Sequence, residues 1–230
     1  ILGRMKAHEV VMQWVTEELS SGRLRIGDHL PGERALAESI GVSRGSLREA
    51  MRVLEALGTI RTSTGSGPRS GTVVTAAPQQ ALALALDLQL ATKQVAPQHV
   101  FETRLMLETW AAEQSDPARG DWDLAERLLS RMNEPGTPIE QFHALDAEFH
   151  VALSRSADNP LISTLMEALR LSIADHTLSR ARTLVDWEAT AVRLRAEHAE
   201  ILAKLRGGDR VAARDLLRDH IRGYYLETSD

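Results

Sequence analysis

From residue 97 to residue 226 the chain is a succession of apolar stripes at helical spacing, cut at short intervals by helix breakers. Helices are expected over about 97–115, 121–133, 138–157, 160–183, 186–206 and 209–226. Their breaks are Asp116-Pro117, the Pro135-Gly136-Thr137-Pro138 turn, Asn159-Pro160 and Gly207-Gly208-Asp209. Upstream, Leu82, Leu84, Leu86, Leu88 and Leu90 alternate at period 2, which is a strand pattern. Yet 79–91 holds no β-branched residue and is rich in the helix formers Ala, Leu and Gln, so a further helix is expected there. Six or seven helices joined by short turns have one way to bury such stripes, a bundle.

The first 75 residues read differently: helix, helix, turn, helix, then two strands. Val10, Val11, Trp14, Val15 and Leu19 form a helical stripe that Ser20-Ser21-Gly22 ends. A second helix, Arg34–Ile40, is opened by Pro31-Gly32-Glu33 and closed by Gly41. Ser43 is placed to cap a third, whose stripe is Leu47, Ala50, Met51, Leu54 and Leu57. Ile60–Thr62 and Thr72–Thr75 are strand-like and flank a glycine-rich tip. The fold expected is mainly α: a winged helix-turn-helix at 1–75, a linker at Ala76-Ala77-Pro78, and an all-α bundle at 79–230.

Charge follows the same division. The whole chain is at −5, but residues 1–75 carry 10 Lys+Arg against 8 Asp+Glu, and residues 76–230 carry 17 against 24. A basic head on an acidic body permits a DNA-binding head without requiring one. The absence of cysteine excludes disulfides, thiolate metal sites and cysteine nucleophiles. With no signal segment at the start and no apolar run longer than Ala81–Leu86, a cytoplasmic protein with no membrane partner is expected.

Two short helices joined by Gly41-Val42-Ser43 place Arg44, Ser46 and Arg48 at the end of the second helix that enters a major groove in a helix-turn-helix. The planar fork of arginine matches the O6 and N7 acceptors of guanine. The alternative is a solvated helix face, with Arg48 and Arg52 paired to Glu49 and Glu55. The string Gly27-Asp28-His29-Leu30-Pro31-Gly32-Glu33-Arg34-Ala35-Leu36-Ala37, with Gly41-Val42-Ser43-Arg44 and Leu47-Arg48-Glu49-Ala50, closely resembles the winged helix-turn-helix of the GntR family of bacterial transcription regulators. The resemblance implies DNA contacts from Arg34, Arg44 and Arg48 and a wing tip that reaches the minor groove, for which Arg69 is the candidate. Two features depart from it. Gly32 stands where a serine is usual, and the wing, Thr64–Gly71, is long.

In the body, Asp146 and His150 lie one helical turn apart beside Phe142, Leu145, Phe149 and Leu153. His198 falls on the stripe Trp187, Ala191, Leu194, Ile201, Leu205, and His220 on Ala213, Leu217, Tyr224. Each of the four therefore sits at or beside a position that faces a bundle core, where burial is costly unless hydrogen bonds or a divalent metal satisfy it. Both remain open on spacing alone. His143 and His176 read as structural or exposed, and Asn159 as the cap of the helix after it.

This body, with Glu102-Thr103-Arg104-Leu105-Met106-Leu107-Glu108, an Asp-x₃-His and two later histidines, is similar to the FCD-type effector domain of the FadR subfamily. The resemblance implies a divalent ion held by Asp146, His150, His198 and His220, with Arg104 in the effector pocket. An oxygen and three imidazoles suit Zn, Ni or Mn rather than Ca. The other role for Arg104 is a surface partner of Glu108. The expected function is a homodimeric repressor on a palindromic DNA operator, released by a small organic-acid effector. The competing class is a metal-dependent hydrolase on the same Asp/His₃ set. No general base is evident, because Glu197 and Glu200 point off the His198 stripe, so no catalytic residue and no enzyme is expected.

Overall fold

The computed structural model describes residues 6–63, 71–75 and 77–228. The chain divides into two compact units, 1–81 and 82–230.

The first unit contains α1 (Ala7–Ser20), α2 (Glu33–Ile40), α3 (Arg44–Ala56), β1 (Ile60–Ser63) and β2 (Gly71–Val74). Gly41 ends α2 in the left-handed region at φ 76°, where a side chain would strain the backbone. Two residues on, the Ser43 hydroxyl accepts the Ser46 amide at 3.1 Å and opens α3. The amphipathic faces of the three helices close on Val11, Val15, Leu36, Leu47, Ala50 and Leu54, with Ile60 and Val74 as the floor from the sheet. Gly32 caps α2 without a side-chain bond, as its replacement of serine implies.

The strands pair antiparallel with Ile60 opposite Val74 and Thr62 opposite Thr72. A feature not visible in the sequence is that residues 27–30 pair with the other edge of β2. The Gly27 amide reaches the Val74 carbonyl at 2.9 Å, and the Leu30 amide reaches that of Thr72 at 2.8 Å. Gly58 turns the chain from α3 into β1 at φ +70°, and a Cβ there would stand 2.0 Å from the Ala77 carbonyl oxygen. The Ala77 amide in turn donates to the Gly58 carbonyl at 2.7 Å. Gly58→Ala is therefore expected to cost about 1–3 kcal/mol through backbone strain and this clash. The check is thermal unfolding of the head; an unchanged midpoint would rule the account out.

The second unit holds α4 (Gln79–Ala91, entering from the first), α5 (Pro97–Gln114), α6 (Trp122–Met132), α7 (Ile139–Ser154), α8 (Pro160–Ala181), α9 (Trp187–Arg206) and α10 (Arg210–Glu227). A period-2 leucine pattern wound on a helix advances about 200° per step, giving two opposed stripes. Leu86 and Leu90 accordingly pack on Val100, Leu107, Val151 and Ile173, while Leu84 and Leu88 face out at 62% and 58% exposure. The helix expected to run to 157 stops at Ser154. A 3₁₀ turn follows, and Asp158 at φ 50° breaks the ladder. Asn159 then caps α8 by accepting the Leu161 amide at 3.1 Å, with Pro160 in the first turn.

The central element is α7, buried almost continuously from Phe142 to Ser154. One side joins the core of Leu128, Leu194, Ile201, Leu205 and Leu217, and Ala147 and Val151 join that of Met166 and Ile173. The polar residues His143, Asp146, His150 and Ser154 on this stretch are thus inside the protein. Among the described residues no helix is long and apolar enough to cross a membrane.

Candidate functional site

Asp146 and His150 project from successive turns of α7, His198 from α9 and His220 from α10, and all four are buried. Each offers one ligand atom within 4.8 Å of the others. His198 Nε2 lies 3.0 Å from Asp146 Oδ1 and 3.2 Å from His220 Nε2, and His150 Nε2 lies 3.6 Å from Asp146 Oδ1. Donors on one ion at metal–ligand lengths of about 2.0–2.2 Å stand about 3.0–3.5 Å apart, so the spacing suits a divalent ion. The polar bookkeeping agrees. His150 Nε2 is buried with no hydrogen-bond partner, a loss that coordination would make good.

Carboxylates hold the far sides of two of these rings. His150 Nδ1 is bonded to Glu108 Oε2, and His220 Nδ1 to Glu197 Oε2 at 2.7 Å. Such contacts orient the rings so that Nε2 faces the cluster. His198 Nδ1 has no partner; its ring is held by Phe149 at 4.9 Å and Phe142 at 6.5 Å between centroids.

The electrostatics match these contacts. Burial would raise the Asp146 carboxyl, but His150 and His198 hold it well below the usual range. Burial likewise opposes the Glu108 charge, and His150 and Arg104 nonetheless bring it to about 2. Burial pushes His220 down to about 4 and lowers His198. His150 moves the other way: burial again lowers it, but the Glu108 and Asp146 carboxylates together raise it above the usual imidazole value.

Arg104 on α5 is not the surface partner of Glu108 that helix spacing allows. Both residues are buried, at 6% and 2% exposure, and Arg104 Nε donates to Glu108 Oε1 at 2.7 Å. Its Nη2 stands 3.7 Å from Asp146 Oδ2, is buried, and lacks a hydrogen-bond partner. Arg104, Asp146 and His220 line one cavity with His143, Thr177 and Tyr224. The Tyr224 hydroxyl donates to the Thr177 carbonyl at 2.7 Å, and burial raises its pKa, keeping it protonated. His143 is buried and pushed down to about 4 by that burial, so it sits neutral against Trp187 and Tyr224. His176 is half-buried and also lowered, first by burial and then by Arg180 and Arg104.

Glu108 and Glu197 are the residues in contact with the cluster whose place the sequence does not reveal. Glu108 showed only its i+4 relation to Arg104. Glu197 does lie off the His198 stripe, but that turns it toward α10 and His220. It is also held by Arg193 at 2.6 Å, so both of its oxygens are already engaged.

In the head, Arg34, Arg44 and Arg48 are exposed around the start of α3. Arg34 pairs with Glu38 at 3.2 Å. Arg48 pairs with Glu33 of α2 at 2.9 Å, not with Glu49, because adjacent residues on a helix do not face each other. Arg52 reaches Glu49 at 3.8 Å, and Glu55 accepts the Thr62 amide at 2.8 Å. The Ser46 hydroxyl shares a 2.9 Å hydrogen bond with that of Ser43, so it belongs to the cap. Arg69 lies outside the described residues.

A winged helix-turn-helix carrying exposed arginines, followed by a helical body with a buried polar centre, defines a DNA-binding regulator with a sensory domain. Comparison with known proteins makes this specific. Residues 7–73 match the bacterial regulatory proteins of the gntR family, and residues 99–223, more than half the chain, match the FCD domain. The HTH-type transcriptional regulator LutR of Bacillus subtilis (strain 168) is 29% identical over 209 residues, covering 88% of this chain and 92% of LutR. An uncharacterized HTH-type transcriptional regulator of the same strain, YcbG, is 31% identical over 169 residues, 71% of this chain and 67% of YcbG. A solved structure, Streptococcus agalactiae GntR, superposes with a TM-score of 0.65 at 25% identity, covering 97% of this chain and all of that one. The chain belongs to the GntR family of transcriptional regulators and carries an FCD domain.

Proposed function

We propose that this regulator is of the FadR subfamily and acts as a homodimeric repressor, released from a palindromic operator by a small carboxylate bound beside a divalent metal ion. In this reading residues 1–75 are the DNA-binding domain, 76–78 the linker and 79–230 the effector and dimerisation domain. The observation that carries the effector half is Arg104 Nη2, a buried donor without a hydrogen-bond partner on a cavity shared with Asp146 and His220. A carboxylate oxygen would complete it, and the guanidinium fork suits that group by shape and charge.

Asp146, His150, His198 and His220 would hold the ion, with zinc, nickel or manganese suited to that donor set. When bound, the ion supplies a positive centre toward which an acid's oxygens are drawn. The chain's own groups do the rest: Arg104 binds and orients the acid, Glu108 and Glu197 fix the imidazoles, and Phe142 and Phe149 wall off water. For dimerisation, the exposed Leu84 and Leu88 stripe of α4 supplies an apolar face that a second copy would cover.

On DNA, Arg44 and Arg48 would read guanines from the start of α3, with Ser46 beside them, Arg34 on α2 and Arg69 on the wing in support. Arg44→Ala or Arg48→Ala is expected to weaken specific binding by about 1–3 kcal/mol, roughly 5- to 150-fold. The Arg48–Glu33 pair is exposed and worth at most about 1 kcal/mol, so freeing Arg48 for a base is not prohibitive. Fluorescence anisotropy with the protein's own promoter DNA measures this; unchanged affinity in both variants would remove these arginines from base readout.

The same assay tests the whole reading. Small carboxylates titrated with and without chelator should release the DNA only when metal is present. Switching the operator from 99% to 1% occupied needs about 10⁴-fold preference of the acid for the released form. No binding to promoter DNA, or release indifferent to every acid and to chelator, would defeat it.

A further inference from the structure

We infer that Glu108 is the residue that couples metal and carboxylate binding, a single buried carboxylate holding His150 ready for the ion and Arg104 ready for the anion. The inference rests on the metal and carboxylate reading above and adds to it a positioning residue that makes the two events interdependent.

Each oxygen of Glu108 has its own task. Oε2 is hydrogen-bonded to His150 Nδ1, which turns the ring so that Nε2 faces Asp146 and the other imidazoles. Oε1 accepts from Arg104 Nε at 2.7 Å, which fixes the guanidinium plane. Nη2 is then left without a hydrogen-bond partner on the cavity it shares with Asp146 and His220. An arginine free to turn would bring that donor back to a carboxylate already present. With Nε engaged, the donor stays available.

The contrast with Glu197 sharpens the assignment. Glu197 supports His220 in the same way, but its other partner is Arg193, at 38% side-chain exposure and on no side of the anion cavity. One supporting carboxylate therefore serves the metal alone, and the other serves metal and anion together. Charge drawn from Glu108 by one partner is charge withheld from the other, so binding at either position must alter the other. By linkage, the effect is reciprocal.

The test uses the full-length protein loaded with cobalt(II), whose visible spectrum reports its ligands, with acetate as the carboxylate probe. Wild type is expected to bind cobalt and to change its spectrum on acetate addition. Glu108→Gln should bind cobalt about 10- to 100-fold more weakly and, at saturating cobalt, need more than about 10-fold more acetate for the same change. Glu197→Gln should lose cobalt affinity to a similar extent and keep the acetate response. Glu108→Asp, shorter by one methylene, cannot span both partners and should separate the two effects. It is the variant to use if Glu108→Gln does not fold by circular dichroism.

A Glu108→Gln protein that binds cobalt and acetate like wild type would overturn the inference. So would one that loses cobalt affinity alone, as Glu197→Gln does. If neither Glu108 variant folds, Glu108 is a structural ion-pair residue and the inference also falls. A wild-type protein that takes up no cobalt, or whose spectrum ignores acetate, would instead overturn the functional reading beneath it.

Discussion

Metal content is expected to fall from about one divalent ion per chain to none when His198 becomes alanine. His198 Nε2 is the atom nearest both Asp146 Oδ1, at 3.0 Å, and His220 Nε2, at 3.2 Å. Removing it leaves three donors and takes away the imidazole that stands between Asp146 and His220. Two readouts separate loss of a ligand from loss of packing, because the ring also lies 4.9 Å from Phe149. Elemental analysis after zinc loading and dialysis reads the ligand. Thermal unfolding with and without zinc reads the linkage. At a free ion concentration of 100 times Kd the wild type should gain about 2.7 kcal/mol, roughly 5–10 °C for a chain of this size. His198→Ala should gain nothing. His198→Phe fills the space without donating, so it should lose the ion with a smaller fall in metal-free stability. Full metal retention in both variants would show the four residues to be ordinary core side chains.

Phe142→Ala is expected to be the most destabilising single truncation in the body, at about 3–5 kcal/mol. The ring is fully buried and meets Trp187 edge-on at 5.1 Å, with the Arg195 guanidinium 5.5 Å from its centroid. It also lies against the His198 ring, 6.5 Å away between centroids. The vacated space opens where α7 meets α9, so part of the loss should appear as weaker zinc binding although Phe142 touches no ion. Phe142→Leu retains most of the volume and should cost about 1–1.5 kcal/mol. Urea unfolding of the metal-free protein, followed by the body's own transition, provides the measurement. A loss below about 1 kcal/mol for the alanine variant would mean that this core is not packed as described.

Both predictions concern the contact of α7 with α9, and the character of α7 is only partly legible in the sequence. Its sequence shows Phe142, Leu145, Phe149 and Leu153 on one face with Asp146 and His150 a turn apart, which is enough to place the polar pair at a core. It does not show that the helix is buried on all but the narrow face of Gln141, Ala144 and Glu148. That depends on α5, α6 and α8 each laying an apolar face against it.

Local chemistry accounts for what the sequence determined. Helix ends at Gly41, Ser43 and Asn159-Pro160 rest on backbone angles and caps within a few residues, so they can be read without knowing the fold. The leucine alternation of α4 also resolves locally, since composition outweighs period when no β-branched residue is present. The four cluster residues stood out because each interrupts or flanks an apolar stripe. Partner choice between elements belonged to the tertiary structure. A step of one residue turns a side chain about 100° around its helix, and that step faces Glu197 toward His220 and Arg48 toward Glu33. The pairing of residues 27–30 with β2 has no periodic signal, because three or four residues at a sheet edge are too few to show one. Glu108 is the clearest case. An arginine and a glutamate four apart look the same in sequence at a surface or in a core, and only the packing of α5 against α7 and α10 removes the water. That desolvation turns an ordinary surface pair into a shared support for His150 and Arg104.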